Sequence, residues 1–478
     1  MGQFAAIISQ KGDDVSAPLH RMMKTSPYYG DTYGVASTEG VRISNEMSIS
    51  APSSGLLAYK LVKVHLYDPP QPLSQYGYRA ILEGRLWEKR GPSDAQSLAD
   101  IVGRNPSKGL RELIGDNGSF AVTLLDEDLL LCCRDAVGVL PLYYGVDDSL
   151  FAVSSNRKAL WSVGLVANTM LPGHLMEMNE KGVFIDMVQE ILQPPIVTIS
   201  MAEAVKRLDA IICSAVEARV EGLQRVSLGF SGGIDSGLLA YYLDRSGVQV
   251  DLICVGVEDS KGFDVAERGA EILNLPLRTD AFTVDDVERT INEVLWSVEE
   301  PNPMKIGVGL PIFWAARAAS EAGIRAYFTG NGCDELFGGY HKHALEYAEQ
   351  GDAVKLSILK DVKNSFQTNY ERDTKICSDL GLELRLPFAD IRMIQFGLSL
   401  PPELLLSPDS GAPRKLVLRA LAKKLGLGEL SMEPKKAVQY STGVNNVLRR
   451  LSKKDGLSLT DYLALRFKLV KREKLGDA

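Results

Sequence analysis

Between residues 1 and 190 the apolar residues come in short runs broken by turn residues: FAAII, GVRIS, LAYKLVKVHLYD, YRAILEGRLW, GSFAVTLLDEDLLLCC, LPLYYGVD, LFAVSS, HLMEMN and GVFIDM. Such runs predict strands. Helical spacing is brief, over Asp94–Val102 and Ser107–Ile114, so the segment reads as a strand-dominated, layered α+β domain. The stretch Leu192-Gln193-Pro194-Pro195-Ile196 reads as a linker.

From Met201 the pattern changes. Met201–Glu221 carries apolar residues at helical spacing. Strands and helices then alternate: Val226–Phe230, a helix through Leu238 and Leu243, Asp251–Val257, Asp264–Leu273, Val284–Trp296, Leu310–Ala322 and Ala326–Thr329. This alternation predicts an α/β doubly wound parallel sheet with its ligand at the carboxyl ends of the strands. Beyond Tyr340 the chain reads as mostly helical, and its basic end, RFKLVKREKLGDA, as a frayed surface terminus. The expected domains are 1–195 and 201–478.

The sharpest local feature is VSLGFSGGIDSGLLAYYL, residues 226–243, where an apolar run stops at Ser231-Gly232-Gly233 and a helical run begins at once. Glycines permit close backbone approach, and the free N–H groups of a new helix attract an anion such as pyrophosphate. An ordinary strand-to-helix turn would use the same residue types. Asp235 argues for more, because a carboxylate among phosphate-binding amides calls for a divalent cation between them. A second Gly-flanked acidic motif, Thr329-Gly330-Asn331-Gly332-Cys333-Asp334, follows another strand. Asp235 and Asp334 are therefore the expected Mg²⁺ ligands. The alternative for Asp334 is an acid that favours a helix N-terminus. GxxxxGK[ST] does not occur, which disfavours P-loop γ-phosphate transfer.

Composition narrows the partners. Lys and Arg number 53 against 61 Asp and Glu, a net charge of −8. The lack of a strongly basic block before the C-terminal stretch argues against nucleic acid. No apolar run has the length of a membrane span and the start does not read as a secretory signal, so a cytoplasmic protein with no membrane partner is expected. The six cysteines form no CxxC pair, so neither a zinc site nor a disulfide framework is indicated.

SGGIDS resembles the pyrophosphate loop of the ATP pyrophosphatase (PP-loop) family. With GNGCDELFGGY, Glu299-Glu300-Pro301, LGLELRLPFADIRMIQFGLSLPPEL (380–404), RKLVLRALAKKL (414–425) and PKKAVQYSTG (434–443), the chain resembles the asparagine synthetase family over nearly all of 201–445. The resemblance implies an adenine nucleotide α-hydrolase-like fold. It also implies ATP and Mg²⁺ as cofactors, adenylation of a small-molecule carboxylate with release of pyrophosphate, and attack by ammonia or an amine. It places Ser231, Gly232, Gly233, Asp235, Ser236, Leu228, Val255, Thr329 and Gly330 on ATP, and the catalytic lysine on Lys435, with Lys436 as the neighbouring candidate. The residue tied to the nucleophile's proton is an acid in asparagine synthetases and a tyrosine in β-lactam synthetases; here it is Asn331, which can orient a nucleophile but is no base.

Arg134-Asp135-Ala136-Val137-Gly138-Val139-Leu140-Pro141-Leu142-Tyr143-Tyr144, LEGRLW (82–87) and Ser93-Asp94-Ala95-Gln96 make the first domain similar to the class II, Ntn-hydrolase-like glutamine amidotransferase domain. That activity uses an N-terminal cysteine. Here Met1 is followed by Gly2 and Gln3, the glutamine-holding HRGPD segment reads MKTSPYYGD, and the oxyanion Asn-Gly is Glu83-Gly84. The first domain is thus expected to be inactive on glutamine. Open alternatives are a PP-loop tRNA-modifying enzyme and a non-catalytic ATP-binding relative. The product and a homodimeric assembly are left open.

Overall fold

The computed structural model describes residues 2–28, 30–49, 52–65, 67–88, 91, 93–127, 129–409, 411–431 and 438–476. Two compact units emerge: Met1–Glu190 with Thr374–Glu383 and Lys468–Ala478, and Ile191–Asp373 with Leu384–Phe467.

The first unit holds two antiparallel sheets. One has seven strands in the order Asn168–Thr169, Tyr143–Val146, Leu150–Ser154, Gly2–Ser9, Gly55–Leu61, Thr32–Ser37, Gly40–Ser44. The other has six: Gly182–Met187, His174–Asn179, Leu129–Arg134, Gly118–Asp126, Tyr78–Leu86, Leu73–Gln75. Gly2–Ser9 sits centrally, pairs Ala5 with Ala58 and Ala6 with Leu57, and is buried along its whole length. That is why FAAII is apolar without alternation. Helices Ser16–Met23 and Arg157–Trp161 cover the first sheet through Ile7, Leu19, Met22, Leu56 and Leu160. Asp94–Val102 and Pro106–Ile114 cover the second through Leu98, Leu110, Leu113, Phe120 and Leu131.

RDAVGVLPLYY proves to be a backbone clamp. Asp135 accepts from the N–H groups of Phe120, Val137 and Gly138, while the Arg134 guanidinium donates to the carbonyls of Gly138, Leu140 and Met170. Arg85, also buried, is held by three carboxylates: Asp68 (2.5 and 2.9 Å), Glu383 (2.8 Å) and Asp94 (3.2 Å).

Three sequence expectations change here. The strand expected over LAYKLVKVHLYD stops at Leu61, and Asp68 Oδ2 takes the N–H groups of Val64 and His65, turning the chain. The helix Ser16–Met23, with Leu19, Met22 and Met23 inward, is too short for its spacing to stand out. The basic stretch is not frayed over residues 466–475: helix Leu459–Leu475 runs through them, with Val470 buried and Lys471 Nζ 3.9 Å from the centre of the Trp161 ring.

The second unit is built on a five-stranded sheet in the order Leu277–Phe282, Gln249–Val257, Arg225–Gly229, Ala326–Phe328, Glu383–Arg385. The first four are parallel, with Leu228 opposite both Leu252 and Phe328. Leu277–Phe282 was not legible as a strand because this edge strand, LRTDAF, is half exposed and polar. The chain leaves Arg225–Gly229 for the strands on one side and returns at Ala326–Phe328 on the other. Such a reversal opens a crevice at the carboxyl ends of the two strands. Residues 188–200 have no regular structure, as the Pro-containing stretch suggests, and Met201–Val220 is a helix.

Arg85→Met would leave three buried carboxylates without their cation. It is expected to lower unfolding free energy by about 3–5 kcal/mol, read as a lower denaturant midpoint; an unchanged midpoint would refute the importance of the Arg85 network.

Candidate functional site

Both Gly-flanked acidic motifs open at that reversal. Phe230 follows Arg225–Gly229, and Ser231–Gly233 lead into helix Ile234–Arg245, which has no side-chain N-cap bond and carries Asp235 in its first turn. The two hydroxyls close the loop: Ser236 Oγ accepts from Ser231 N–H (3.3 Å), donates to Gly233 O (3.2 Å), and lies 3.2 Å from Ser231 Oγ. Gly232 has φ +71°, and a Cβ there would fall 2.1 Å from Val265 O. Packing against the helix Gly262–Leu273 is thus enough to require glycine at 232.

Across the crevice, Thr329 to Gly332 lead from Ala326–Phe328 into the short helix Cys333–Leu336. Asp235 and Asp334 converge, and Lys415 joins them. Its Nζ is 2.6 and 2.7 Å from the two oxygens of Asp235 and 2.6 Å from Asp334 Oδ1, with Cys333 Sγ at 3.6 Å. Burial works against the ammonium, but Asp235 and Asp334 outweigh it and hold its pKa well above that of an ordinary lysine. Gly339 makes the room: a Cβ there would meet Asp334 Oδ1 at 2.0 Å and Lys415 Cε at 2.4 Å.

Two cavities adjoin at Ser231 and Asp235. One, of about 270 Å³, is lined by Ile253, Cys254 and Val255 from one strand end, by Thr329, Gly330 and Asn331 from another, and by Val308, Pro311 and Ile312 of helix Pro303–Glu321. The other, of about 310 Å³, is basic, with Lys261, Arg414, Lys415 and Arg419 in its wall. The first suits a nucleoside, the second a polyphosphate.

The expected site residues Ser231, Gly233, Asp235, Ser236, Val255, Thr329, Gly330, Asn331 and Asp334 all line one or both cavities. Leu228 does not, which corrects its placement on ATP: it is fully buried in the sheet, and the lining falls to Gly229 and Phe230. Lys435 and Lys436 lie outside the described residues. Asn331 donates through Nδ2 to Asp373, which Arg372 Nε also engages at 2.6 Å. Beside it, buried Glu335 accepts from Tyr340 Oη and from Asn369 Nδ2 (2.7 Å). Burial, aided by the charge of Asp334, raises the Glu335 pKa.

Lys415 escaped the sequence analysis, as did Arg414 and Arg419, because a basic residue ahead of an apolar helical run looks like solvated surface. All three lie in RKLVLRALAKKL, one of the segments that carry the family resemblance.

Two carboxylates facing one point are hard oxygen donors that, with phosphate oxygens, suit Mg²⁺. Among the described residues no cluster of three or more His, Cys, Asp or Glu could hold a metal, so nucleotide oxygens would have to complete the set.

The first unit has its own polar interior around Gly2. The Gly2 N–H lies 3.4 Å from Glu83 Oε1, Ser378 Oγ donates to Gly2 O (2.7 Å), and a Cβ at position 2 would fall 1.7 Å from Lys60 O. Nearby, Lys158 Nζ pairs with Asp379 at 2.6 Å and Ser26 Oγ donates to the same carboxylate. The space between Glu83, Lys158 and Asp379 is only about 10 Å³. Burial pushes Glu83 up to about 7 against the Gly2 N–H, and pushes Lys60 down to about 8 against the charge of Asp379.

Residues 207–356 and 348–475 match the family model for asparagine synthase, and residues 76–162 that for a glutamine amidotransferase domain. A Methanocaldococcus jannaschii protein, named provisionally as a glutamine-hydrolysing asparagine synthetase, is 33% identical over 73% of this chain and 73% of its own length. The glutamine-hydrolysing asparagine synthetase of Brassica oleracea is 31% identical over 63% of this chain, which spans 54% of that relative. Among solved structures, the glutamine phosphoribosylpyrophosphate amidotransferase from B. subtilis aligns with 58% of this chain and 65% of its own at 17% identity, with a TM-score of 0.35.

Because the folded Glu83 pKa lies above its usual value, its contribution to stability is full below pH ~4.5 and falls away as pH rises towards 7. Glu83→Gln is therefore expected to raise the melting temperature by about 5 °C at pH 8 and by little at pH 4.5. A gain equal at both pH values would contradict the buried acid.

Proposed function

Since this chain belongs to the asparagine synthase family, we propose that its second unit, of the PP-loop type, joins a carboxylate to a nitrogen nucleophile at the expense of ATP. The convergence of Asp235, Lys415 and Asp334 between two strand ends carries this reading. Adenosine would lie against Val255, Thr329 and Gly330, the triphosphate over the amides that open helix Ile234–Arg245, and the β and γ phosphates towards Arg414 and Arg419. A carboxylate oxygen of the substrate attacks the α-phosphorus. An acyl–O–P bond forms, the α–β bridge breaks, and pyrophosphate leaves into the basic cavity. The nitrogen nucleophile then attacks the acyl carbon, expels AMP and releases a proton to solvent. Mg²⁺ held by Asp235 and Asp334 would supply charge neutralisation on the phosphates. Lys415, charged throughout, offers the same kind of stabilisation, and Lys435 is proposed as a second cation at the α-phosphate.

Asn331 bears on the nitrogen half. Held by Asp373, the carboxamide orients substrate but takes no proton, which supports a carboxylate and nucleophile other than the usual aspartate and ammonia pair. The first unit is read as an amidotransferase-like, Ntn-type domain that does not hydrolyse glutamine. Its pocket is filled by the Lys158–Asp379 pair, Glu83 stands where an oxyanion donor is needed, and position 2 has no room for a side chain.

Carboxylate-dependent exchange of labelled pyrophosphate into ATP tests the reading, with aspartate, other amino acids and amine-bearing acids as the panel. Exchange is expected with at least one carboxylate. It should be reduced at least ~10³-fold in Asp235→Asn, and product formation should be supported by ammonium or a substrate amine but not by glutamine. Full exchange in Asp235→Asn would overturn the site; glutamine-supported synthesis would overturn the inactive first unit.

A further inference from the structure

Lys415 is placed with more care than a phosphate-contacting lysine needs. Its ammonium donates to both oxygens of Asp235 and to Cys333 Sγ, and pairs with Asp334, inside the fold. Its backbone sits at φ +59°, a left-handed conformation that a non-glycine residue keeps only when its surroundings hold it there. The following residues, Leu416–Lys424, form a helix with Val417, Leu418 and Leu421 buried, which anchors the lysine from behind.

The ammonium therefore stands where a cation shared by the two carboxylates would stand. With it in place the trio has a net charge of −1 rather than −2, and a bare divalent ion must displace a group that both acids already hold. A metal arriving on a polyphosphate faces a different balance. It brings phosphate oxygens as ligands, and those same oxygens give the displaced ammonium a new anion to face in the basic cavity beside it.

We propose that Lys415 is the resident cation of this site, keeping Asp235 and Asp334 from taking a divalent metal until a nucleotide carries one in. The inference rests on the reading of those two acids as the metal-holding pair. It makes metal and nucleotide binding strongly coupled, each raising the affinity for the other.

The test is a Mn²⁺ titration of the full chain followed by electron paramagnetic resonance, first without nucleotide and then with α,β-methylene-ATP. Wild type is expected to take up no Mn²⁺ at these acids alone and one ion with the analogue. Lys415→Met, checked for folding by circular dichroism, should gain one bound Mn²⁺ without nucleotide where wild type has none, and adding Asp235→Asn should abolish the gain. Nucleotide-free binding by wild type that Asp235→Asn removes would overturn the resident-cation role while leaving the metal pair standing, and it decides the matter even if Lys415→Met does not fold. A folded Lys415→Met with no gain would overturn it too. Absence of Mn²⁺ uptake by wild type even with the analogue would overturn the metal pair and the inference together.

Discussion

Two carboxylates brought to one point from separate strand ends repel each other, and the second unit is arranged so that a single buried ammonium resolves that repulsion. Asp235 is placed by the turn that ends the central strand, Asp334 by the turn that ends its neighbour, and Lys415 by a left-handed residue ahead of a packed helix. Gly339 is bare so that the acid and the lysine can meet. The sheet order supplies the crevice, and the trio gives it a sign: a nucleoside-sized cavity on one side, a basic one on the other, and a charged centre between them.

The two units contrast in how their polar interiors are spent. In the second, Asp235, Asp334 and Lys415 face open cavities. In the first, Lys158, Asp379, Glu83 and Gly2 face one another across almost no space. A buried ion pair contributes little net stability, but breaking one is costly, so such a filled pocket is rigid. The Arg85 network and the Arg134–Asp135 clamp have the same character, holding backbone and strands rather than ligand. Resemblance at RDAVGVLPLYY thus speaks for scaffold and not for chemistry.

Much of this was legible in the residues because turn chemistry is local. SGGIDS and TGNGCD announced two strand ends facing one crevice, since glycine, hydroxyl and acid in that order have few structural uses. The alternation of strands and helices after Met201 gave the parallel sheet. What escaped was set by tertiary context. Leu277–Phe282 is a polar edge strand whose pairing no periodicity reveals. Lys415 lies 180 residues from Asp235 in the chain, and nothing in its neighbours marks it as buried. Gly232 is also a packing requirement, set by a helix that follows some thirty residues later and so not visible in the loop itself. Leu228 was placed on ATP because it belongs to the strand that leads to the loop, yet that strand is central in its sheet and buried on both faces.

The central claim is that this crevice breaks ATP between its α and β phosphates to activate a carboxylate. Phosphorus-31 NMR of ATP turned over by the full chain, with a mixed pool of amino acids and ammonium, reads this directly. Equal amounts of AMP and inorganic pyrophosphate are expected, with no ADP; ADP and orthophosphate as the products would contradict the account.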